Sequence, residues 1–414
     1  MNKKKYVNRN YLTTTRIIAL GFLITVIVGT LLLSLPIASA NGTWTDLLTA
    51  AFTSTTSVCV TGLVVVDTFS YWSLFGKGVI LILIQIGGLG IVSIITLFML
   101  LFRMKITLKS TMLLQDAFNL NSKQGLLKFT IKVIKGTFLI EGIGAFIYSF
   151  YYCREYGLLK GIWFSVFHAV SAFCNAGLDI MGADSLIPYH SNLLMMLNTS
   201  FLIIMGGIGF IVWWDTVEAF RRIRTKKCSI RSAWNGVHLQ TKIAIFMTLL
   251  LLIGGTVVIY FLERSNPDTL GNLSEKDRIL NAFFQSVTLR TAGFAAVPQA
   301  ALRPVTAFFG ALLMMIGGSP VGTAGGMKTV TIAVIFFTFA AMIRNHEDTE
   351  VFKRNIPVSV VKKAVAIVFL SMSTIFIMTI LLMATNDVNL LDALFEVASA
   401  VCTVGLSRNL TPVL

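Results

Sequence analysis

The sequence has 414 residues, of which 55% are hydrophobic and only 13% are charged, a balance that excludes an ordinary soluble globular domain and predicts a membrane protein. The formal net charge is +15. Lys and Arg fall in short blocks between apolar runs, whereas a nucleic-acid binder would spread them over a polar domain. The five Cys show neither CxxC nor Cys/His spacing, so we expect no disulfide or zinc framework.

The first predicted element imitates a secretory signal, because Lys3 to Lys5 precede an apolar run and Ala38-Ser39-Ala40 follows it. The run spans 17–35, which is 19 residues. A signal peptide has an apolar run of about 7–15 residues, whereas about 20 residues cross a bilayer. We therefore predict a retained first membrane span.

Six further apolar runs are long enough to cross a bilayer, which makes seven predicted spans in total. They lie at 74–102, 133–152, 192–214, 243–262, 302–343 and 364–384.

The connections between these spans differ in charge. Four of them hold 24 of the 34 basic residues: 1–16, 103–135, 221–242 and 344–363. On the other side, for example, neither 36–46 nor 385–392 contains Lys or Arg. The positive-inside rule predicts a multi-pass plasma-membrane protein with its N-terminus in the cytoplasm.

Four shorter apolar segments lie between paired spans and align without gaps: 46–63, 161–178, 278–294 and 389–406. Each has a Gly preceded by Phe at ten residues and followed by Leu or Phe. The spacings of these glycines, at 62, 177, 293 and 405, are 115, 116 and 112 residues. Such a regular period indicates one unit used four times.

The predicted fold is an all-α polytopic membrane protein of four tandem helix, pore loop, helix repeats in a pseudo-fourfold arrangement, with the last helix absent. A cytoplasmic tail at 1–16 precedes repeats at 17–102, 126–219, 240–343 and 358–414, and the fourth is incomplete. Leu414 lies only nine residues after Gly405, so we expect this sequence to lack the second helix of the fourth repeat.

Each pore loop is predicted to be a short helix followed by non-helical backbone. Such backbone survives at membrane depth only where it is buried in protein or lines water. Four extended segments around one axis would present carbonyl oxygens that replace the hydration shell of a cation. Gly suits this position because it tolerates positive φ and has no Cβ. The alternative for a single copy is a helix-ending Gly, but four copies in register favour a filter.

Five stretches resemble the Trk/Ktr/HKT potassium transporters, and within that family the membrane subunits of bacterial Ktr systems. They are CVTGL at 59–63, AFCNAGLD at 172–179, SVTLRTAGF at 286–294, AVCTVGL at 400–406 and GGSPVGTAGGMKT at 317–329.

The resemblance implies potassium uptake through a selectivity filter, with potassium, and also sodium, as transported or coupling ions and no other cofactor. The implied filter residues are Val58, Cys59, Val60, Thr61, Gly62, Phe173, Cys174, Asn175, Ala176, Gly177, Leu289, Arg290, Thr291, Ala292, Gly293, Val401, Cys402, Thr403, Val404 and Gly405. Gly at 62, where some plant relatives have Ser, implies a preference for potassium. The resemblance also implies sodium stimulation, a homodimer and a cytosolic nucleotide-binding regulatory ring of the KtrA type.

The span 302–343 is predicted to be interrupted, because each flank is too short to cross a core of about 30 Å and its middle is rich in Gly. The resemblance implies that this interruption is an intramembrane gate, and the alternative is a passive kink. The predicted gating-loop residues are Gly317, Gly318, Ser319, Pro320, Gly322, Thr323, Gly325, Gly326 and Lys328.

Three polar residues fall in apolar surroundings. Glu141 is a candidate because intramembrane acids are often functional, although it falls near one end of its predicted span. His168 is interpreted as a hydrogen-bonded packing residue. Arg290 replaces the Cys of the other three segments, and we interpret it as structural, with an acid behind the filter as its candidate partner.

Acidic residues flank the four segments. Asp67 and Asp179 follow filter glycines and either attract cations to the outer mouth or are ordinary loop acids. Asp46, Glu275 and Asp392 fall at the starts of pore helices, where acids stabilise the free N–H groups.

Two other functions remain open at this point. Without the fourth second helix, the chain could be a truncated, non-conducting membrane fragment. A secondary cation transporter with alternating access also uses repeats and broken helices, although its repeats are usually inverted. No Walker motif or paired carboxylates in a polar cleft are present, so we expect no enzyme activity.

Overall fold

The computed structural model describes residues 14–90, 93–94, 96–97, 126–182, 184–226, 228–346, 348–352 and 354–413. Most of the predicted cytoplasmic tail 1–16 and residues 103–125 of the second basic block lie outside the described residues.

The N-terminal half contains α1 Thr14–Ser34, α2 Leu47–Val58, α3 Thr68–Tyr71, α4 Leu74–Leu89, α5 Leu126–Tyr156, α6 Leu158–Cys174, α7 Leu193–Gly207 and α8 Phe210–Lys226. The C-terminal half contains α9 Ile230–Asn235, α10 Leu239–Glu263, α11 Glu275–Thr288, α12 Pro304–Met315, α13 Thr329–Ile343, α14 Val358–Thr385 and α15 Leu390–Val401. A two-stranded antiparallel ladder joins β1 Glu350–Val351 to β2 Arg354–Asn355.

Four of the described helices are long and apolar enough to cross a membrane by themselves: α1, α5, α10 and α14. They correspond to the spans predicted at 17–35, 133–152, 243–262 and 364–384. The bent pair α7 and α8 would make a fifth. The chain is therefore a mostly helical, multi-pass membrane protein, as its composition predicts.

The remaining predicted spans are not continuous helices in the described residues. The span predicted at 192–214 is wrong as a single helix, because α7 and α8 meet at an angle of 96°. Gly209 at the break has φ 96°, which an α-helix cannot contain. Likewise α4 ends at Leu89 before Gly90 at φ 78°, and most of the rest of the predicted span 74–102 is outside the described residues.

The interruption predicted within 302–343 is present. α12 ends at Met315 and α13 begins at Thr329. Between them, residues 316–328, here called the intramembrane loop, close on themselves, because Gly317 N donates to Met327 O at 3.0 Å and Met327 N donates to Met315 O at 3.1 Å. Backbone bonds within this segment thus replace part of the missing helical pattern.

The four short helices α2, α6, α11 and α15 form the centre of the packing. Each contacts the long helix that precedes it in the chain, which is α1, α5, α10 or α14. Contacts also run between neighbours around the centre, since α4 packs on α6, α7 on α11 and α12 on α15. Two clusters of buried apolar side chains surround this centre. One comes mainly from the N-terminal half but includes residues of α10, α11 and the segment after α11, and the other comes from the C-terminal half.

Of the acids at the starts of these short helices, Asp46 has the predicted capping role. Asp46 is the N-cap of α2 and accepts from Leu48 N at 3.0 Å and Thr49 N at 3.3 Å. Glu275 and Asp392 lie in the first turns of α11 and α15, whose N-caps are Ser274 and Asn389. These ends are fixed by side-chain oxygens that satisfy free N–H groups.

Candidate ion pathway

The backbone after each short helix has the same alternating conformation in all four segments. Positive φ occurs two residues before each Gly and at the Gly itself. The pairs are Val60 and Gly62 (55° and 94°), Asn175 and Gly177 (60° and 65°), Thr291 and Gly293 (68° and 83°), and Thr403 and Gly405 (54° and 93°).

Three of these non-glycine residues are β-branched, for which positive φ is a marked outlier. Each such residue costs about 1–3 kcal/mol, and strain of this kind persists only where the surroundings impose it. In each segment a residue without positive φ separates the two left-handed positions. Repetition at four places indicates a functional conformation.

The four glycines lie around one centre. A Cβ added to Gly62, Gly177, Gly293 or Gly405 would come closer than 3.0 Å to the backbone carbonyl oxygen of the residue before the next Gly in the series. In order, those carbonyls belong to Ala176, Ala292, Val404 and Thr61. Since the fourth Gly meets the first segment, the series closes into a ring, here called the glycine ring.

The segments are shorter than the sequence predicts. The sequence predicts extended strands that begin at Val58, Phe173 and Val401. In the structure, Val58 and Val401 are the last residues of α2 and α15, and Phe173 and Cys174 are the last two residues of α6. Non-helical backbone is therefore confined to the two to four residues before each Gly.

Hydroxyl groups behind the segments hold this shape, and the sequence analysis missed them. Gly62 N donates to Thr56 Oγ1, and Gly405 N donates to Ser399 Oγ, both at 3.0 Å. Ser171 Oγ donates to Leu178 O at 2.5 Å. The signal was available, because Thr or Ser occurs six residues before these three glycines.

The third segment uses a related bond. Thr288 Oγ1, five residues before Gly293, donates to Phe294 O at 2.7 Å. Buried hydroxyls that each satisfy a backbone group keep the strained conformation from relaxing.

An outer cavity of about 640 Å³ lies over the glycine ring and is lined by all four glycines. Asp67, Asp179 and Asp184 also line it. Asp67 accepts from Ser70 N at 2.9 Å, and Asp179 accepts from Ser185 Oγ at 2.6 Å. Three acids around one cavity make its potential favourable to cations.

Asp179 has a perturbed acidity. Burial raises its pKa to about 6, hydrogen bonds from Ser185 and Met181 oppose the rise, and the negative charge of Asp67 adds to it. Its charge is therefore sensitive to the pH outside the ring.

The intramembrane loop touches three of the four segments. Thr323 Oγ1 donates to Phe173 O at 3.0 Å, and Arg290 Nη2 donates to Gly317 O at 3.3 Å. Gly325 is so close to the fourth segment that an added Cβ would collide with Thr403 Oγ1. The loop therefore packs directly against these segments.

The same loop docks on the break between α7 and α8. Ser319 N donates to Gly207 O at 2.8 Å, and Thr323 N donates to Gly206 O at 3.1 Å. In the other direction, Phe210 N donates to Val321 O at 2.8 Å. Two helix interruptions thus satisfy each other's backbone groups at membrane depth.

The remaining predicted gating-loop residues shape the loop itself. Lys328 Nζ donates to Ala324 O at 2.5 Å, and the hydroxyls of Ser319 and Thr329 are 2.8 Å apart. Pro320 O approaches Gly209, and Gly326 has φ 64°. Gly318 and Gly322 face the carbonyls of Gly207 and Gly206, where a Cβ would lie 2.7–2.8 Å from the oxygen.

Arg290 does not pair with an acid among the described residues, so that expectation is wrong for this part of the chain. The side chain is buried, and its Nη2 bonds to the loop carbonyl of Gly317 instead. A carbonyl suffices because the loop leaves such groups free of helical bonds. The residue remains a structural one, connecting the third segment to the loop.

Glu141 lies near the middle of α5 and not near the end of a span, because the helix extends from Leu126 to Tyr156, beyond the predicted limits. Its carboxyl group accepts from Gln85 Nε2 at 3.2 Å and from Cys174 Sγ at 3.8 Å. It is therefore directly behind the second segment.

His168 is a buried packing residue, as interpreted from the sequence. Its Nε2 lies 3.3 Å from Thr199 Oγ1, and its ring packs edge-on against Tyr148.

Comparisons with known proteins agree on one family. The family model described as "TrkH: Cation transport protein" matches residues 4–409. "Potassium/sodium uptake protein NtpJ" of Enterococcus hirae is 38% identical over 408 residues, covering 98% of this chain and 87% of the relative. "Ktr system potassium uptake protein B" of Bacillus subtilis is 37% identical over 413 residues, covering 100% of this chain and 89% of the relative.

One solved structure has a similar fold. The potassium transporter TrkH from Vibrio parahaemolyticus superimposes with a TM-score of 0.69 at 17% identity, covering 98% of this chain and 78% of the other.

Proposed function

The chain belongs to the TrkH family of cation transport proteins, and from this membership we propose that it takes up potassium across the plasma membrane through the glycine ring. In this proposal the four segments are the filters of four repeats, and the ions travel along the axis that the glycines surround. The N-terminus lies in the cytoplasm, as the distribution of basic residues indicates.

The observation that carries the proposal is the shared alternation of positive φ at four places whose glycines close into a ring. Carbonyl oxygens aimed at one axis can replace the water around a desolvated cation. The C-terminal ends of α2, α6, α11 and α15, which have partial negative charge, precede these segments and favour a cation there. The acids of the outer cavity raise the local cation concentration.

The intramembrane loop is the gate in this proposal. Its contacts with Phe173 O and Thr403 place it against the inner side of the ring. Its hydrogen bonds to the α7 and α8 break hold it there. Opening requires the loop to leave these partners while α12 and α13 remain in place.

Sodium and regulation are proposed from the named relatives. One relative is described as a potassium/sodium uptake protein, so sodium either stimulates this chain or enters it. Another belongs to a Ktr system, and we propose that this chain likewise works as a homodimer on a cytosolic nucleotide-binding ring. The basic cytoplasmic connections provide surface for such a partner.

Rubidium uptake in cells that lack their own potassium uptake systems tests the proposal. We expect uptake with the unmodified chain and its loss in Gly293→Ala, whose Cβ would collide with Val404 O. The matched control is Gly254→Ala, because a Cβ at that helical position meets nothing within 4 Å. Equal uptake in both variants, at equal amounts of protein in the membrane, would contradict the filter assignment.

A further inference from the structure

A second cavity opens on the side of the helices that faces away from the glycine ring. It has a volume of about 360 Å³ and lies between α4, α5 and α6. Its outer rim includes Ile82 and Phe138, which are 61% and 52% exposed. Since these helices are apolar on that side, the cavity opens towards the hydrocarbon of the bilayer.

The inner wall of this cavity is polar at one place. Gln85 and Glu141 line it among otherwise apolar residues. Glu141 is only 4% exposed, and no cationic side chain pairs with it within the part of the chain that the structure describes. Its two donors, Gln85 Nε2 and Cys174 Sγ, are both uncharged hydrogen-bonding groups.

An acid in such a position lacks the partner that intramembrane acids usually have. An apolar cavity with one or two converging polar groups is the usual form of a small-molecule site. A ligand that complements this one combines an apolar body, which fills the cavity, with a basic nitrogen, which can take the proton of the carboxyl group and pair with the resulting carboxylate.

We propose that this cavity binds lipophilic amines that enter from the bilayer, with the amine nitrogen placed against the Glu141 carboxyl group. A neutral amine crosses hydrocarbon readily and then takes the proton of the Glu141 carboxylic acid. The O–H bond breaks and an N–H bond forms, which leaves a carboxylate and an ammonium with no net change of charge.

The site is coupled to the proposed filter through one side chain. Cys174, which donates to Glu141, comes directly before the left-handed Asn175 of the second segment. An ammonium on the carboxyl group competes with the thiol for the same oxygen. We therefore expect a bound amine to reduce potassium flux, an effect that rests on the proposed function, whereas binding does not.

Two glycines allow a matched test. Gly142 lines the cavity, and a Cβ there meets nothing within 4 Å, so Gly142→Leu begins in open space and adds its side chain at the cavity. Gly254 of α10 is equally open but does not line this cavity. Gly254→Leu therefore adds the same side chain to another exposed helix. Glu141→Gln keeps the shape of the acid and removes its charge.

The experiment measures thermal unfolding of the purified full chain in detergent with adamantan-1-amine or the neutral adamantan-1-ol. A ligand that binds the folded state raises the unfolding midpoint. We expect the amine to raise the unfolding midpoint of the unmodified chain and of Gly254→Leu. The alcohol should bind at least about tenfold more weakly, so that a higher concentration is needed for the same shift. The shift should disappear in Gly142→Leu and in Glu141→Gln.

Equal shifts of the midpoint with amine and alcohol would contradict the proposed site. An amine shift that persists in Gly142→Leu would also contradict it, because the amine would then bind elsewhere. If Glu141→Gln does not fold, Gly142→Leu and the alcohol still decide the question. Flux measured in proteoliposomes with the same amine then tests the coupling: a bound amine that leaves flux unchanged would overturn the coupling and leave the site intact.

Discussion

The glycine ring and the intramembrane loop are both rich in Gly, but the residue has a different purpose in each. In the ring, every Gly has positive φ and faces a carbonyl of the neighbouring segment. Among the loop glycines only Gly326 has positive φ, whereas Gly318 and Gly322 serve close approach to α7. The ring is held by hydroxyls of its own short helices, whereas the loop combines bonds of its own with bonds to partners distant in the chain.

This difference suggests that the two regions have different mechanical properties. A segment whose bonds are local to one short helix keeps its shape while the rest of the protein moves. A loop whose bonds reach α7, α8 and the second segment loses them when those elements shift. The same type of substitution should therefore have opposite effects on flux in the two regions.

The largest expected effect is in the ring. Gly405→Ala forces a Cβ towards Thr61 O at a position with φ 93°. We expect rubidium uptake to fall by at least about tenfold. The control is Gly78→Ala in α4, where a Cβ meets nothing within 4 Å. Normal uptake in well-expressed Gly405→Ala protein would remove the distinction between ring and loop.

Shortening the loop should change flux in the opposite direction. Deletion of residues 322–326 removes the contacts with Gly206 O, Phe173 O and the fourth segment. Hydrogen bonds worth about 1 kcal/mol each hold the loop closed, so their joint loss should raise flux more than about tenfold. Flux per molecule in proteoliposomes is the measurement. An unchanged or lower flux would favour a passive kink over a gate.

A single bond should produce a smaller change of the same sign. Thr323→Val removes the donor to Phe173 O and keeps the shape of the side chain. A bond worth about 1 kcal/mol corresponds to a roughly fivefold shift between closed and open loop, and flux should rise by up to that factor. Thr323→Ser retains the hydroxyl and serves as the control. Similar flux in the Val and Ser variants would mean that this bond does not hold the gate.

The smallest expected effect concerns the outer cavity. Asp179, whose pKa is raised to about 6, is charged above that pH and neutral below it. Uptake at limiting potassium should therefore fall, by roughly twofold, as external pH drops through this value. Asp179→Asn should show the lower uptake at all pH values and no step near 6. Asp46→Asn, which keeps a good N-cap on α2, should retain the step.

Parts of this fold can be predicted from local sequence. The apolar runs of α1, α5, α10 and α14 predict their own spans, because length and composition alone decide whether a helix can cross a bilayer. The period of the four glycines predicts where the backbone leaves the helix, since no other residue combines positive φ with such close approach. The interruption before Thr329 follows from the run of Gly in the same way.

Other features depend on residues far apart in the chain. Gly206, Gly207 and Gly209 lie in an apolar run that reads as one continuous span, and the break there is bonded to the backbone of residues 319–323. Arg290 bonds to Gly317 O, a partner 27 residues away that no local pattern identifies. Likewise, Glu141 lies near the middle of its helix and reaches Gln85, 56 residues earlier.

The sequence by itself determined which segments enter the membrane and where four of them bend, because hydrophobic length and the absence of a Cβ are properties of single residues and short runs. Only the tertiary structure decided which carbonyl faces which Gly, which helix break receives the loop, and which acid has no cationic partner among the described residues. These contacts join segments that are distant in the chain. In a bilayer they depend on how every unpaired backbone group finds a hydrogen-bonding partner.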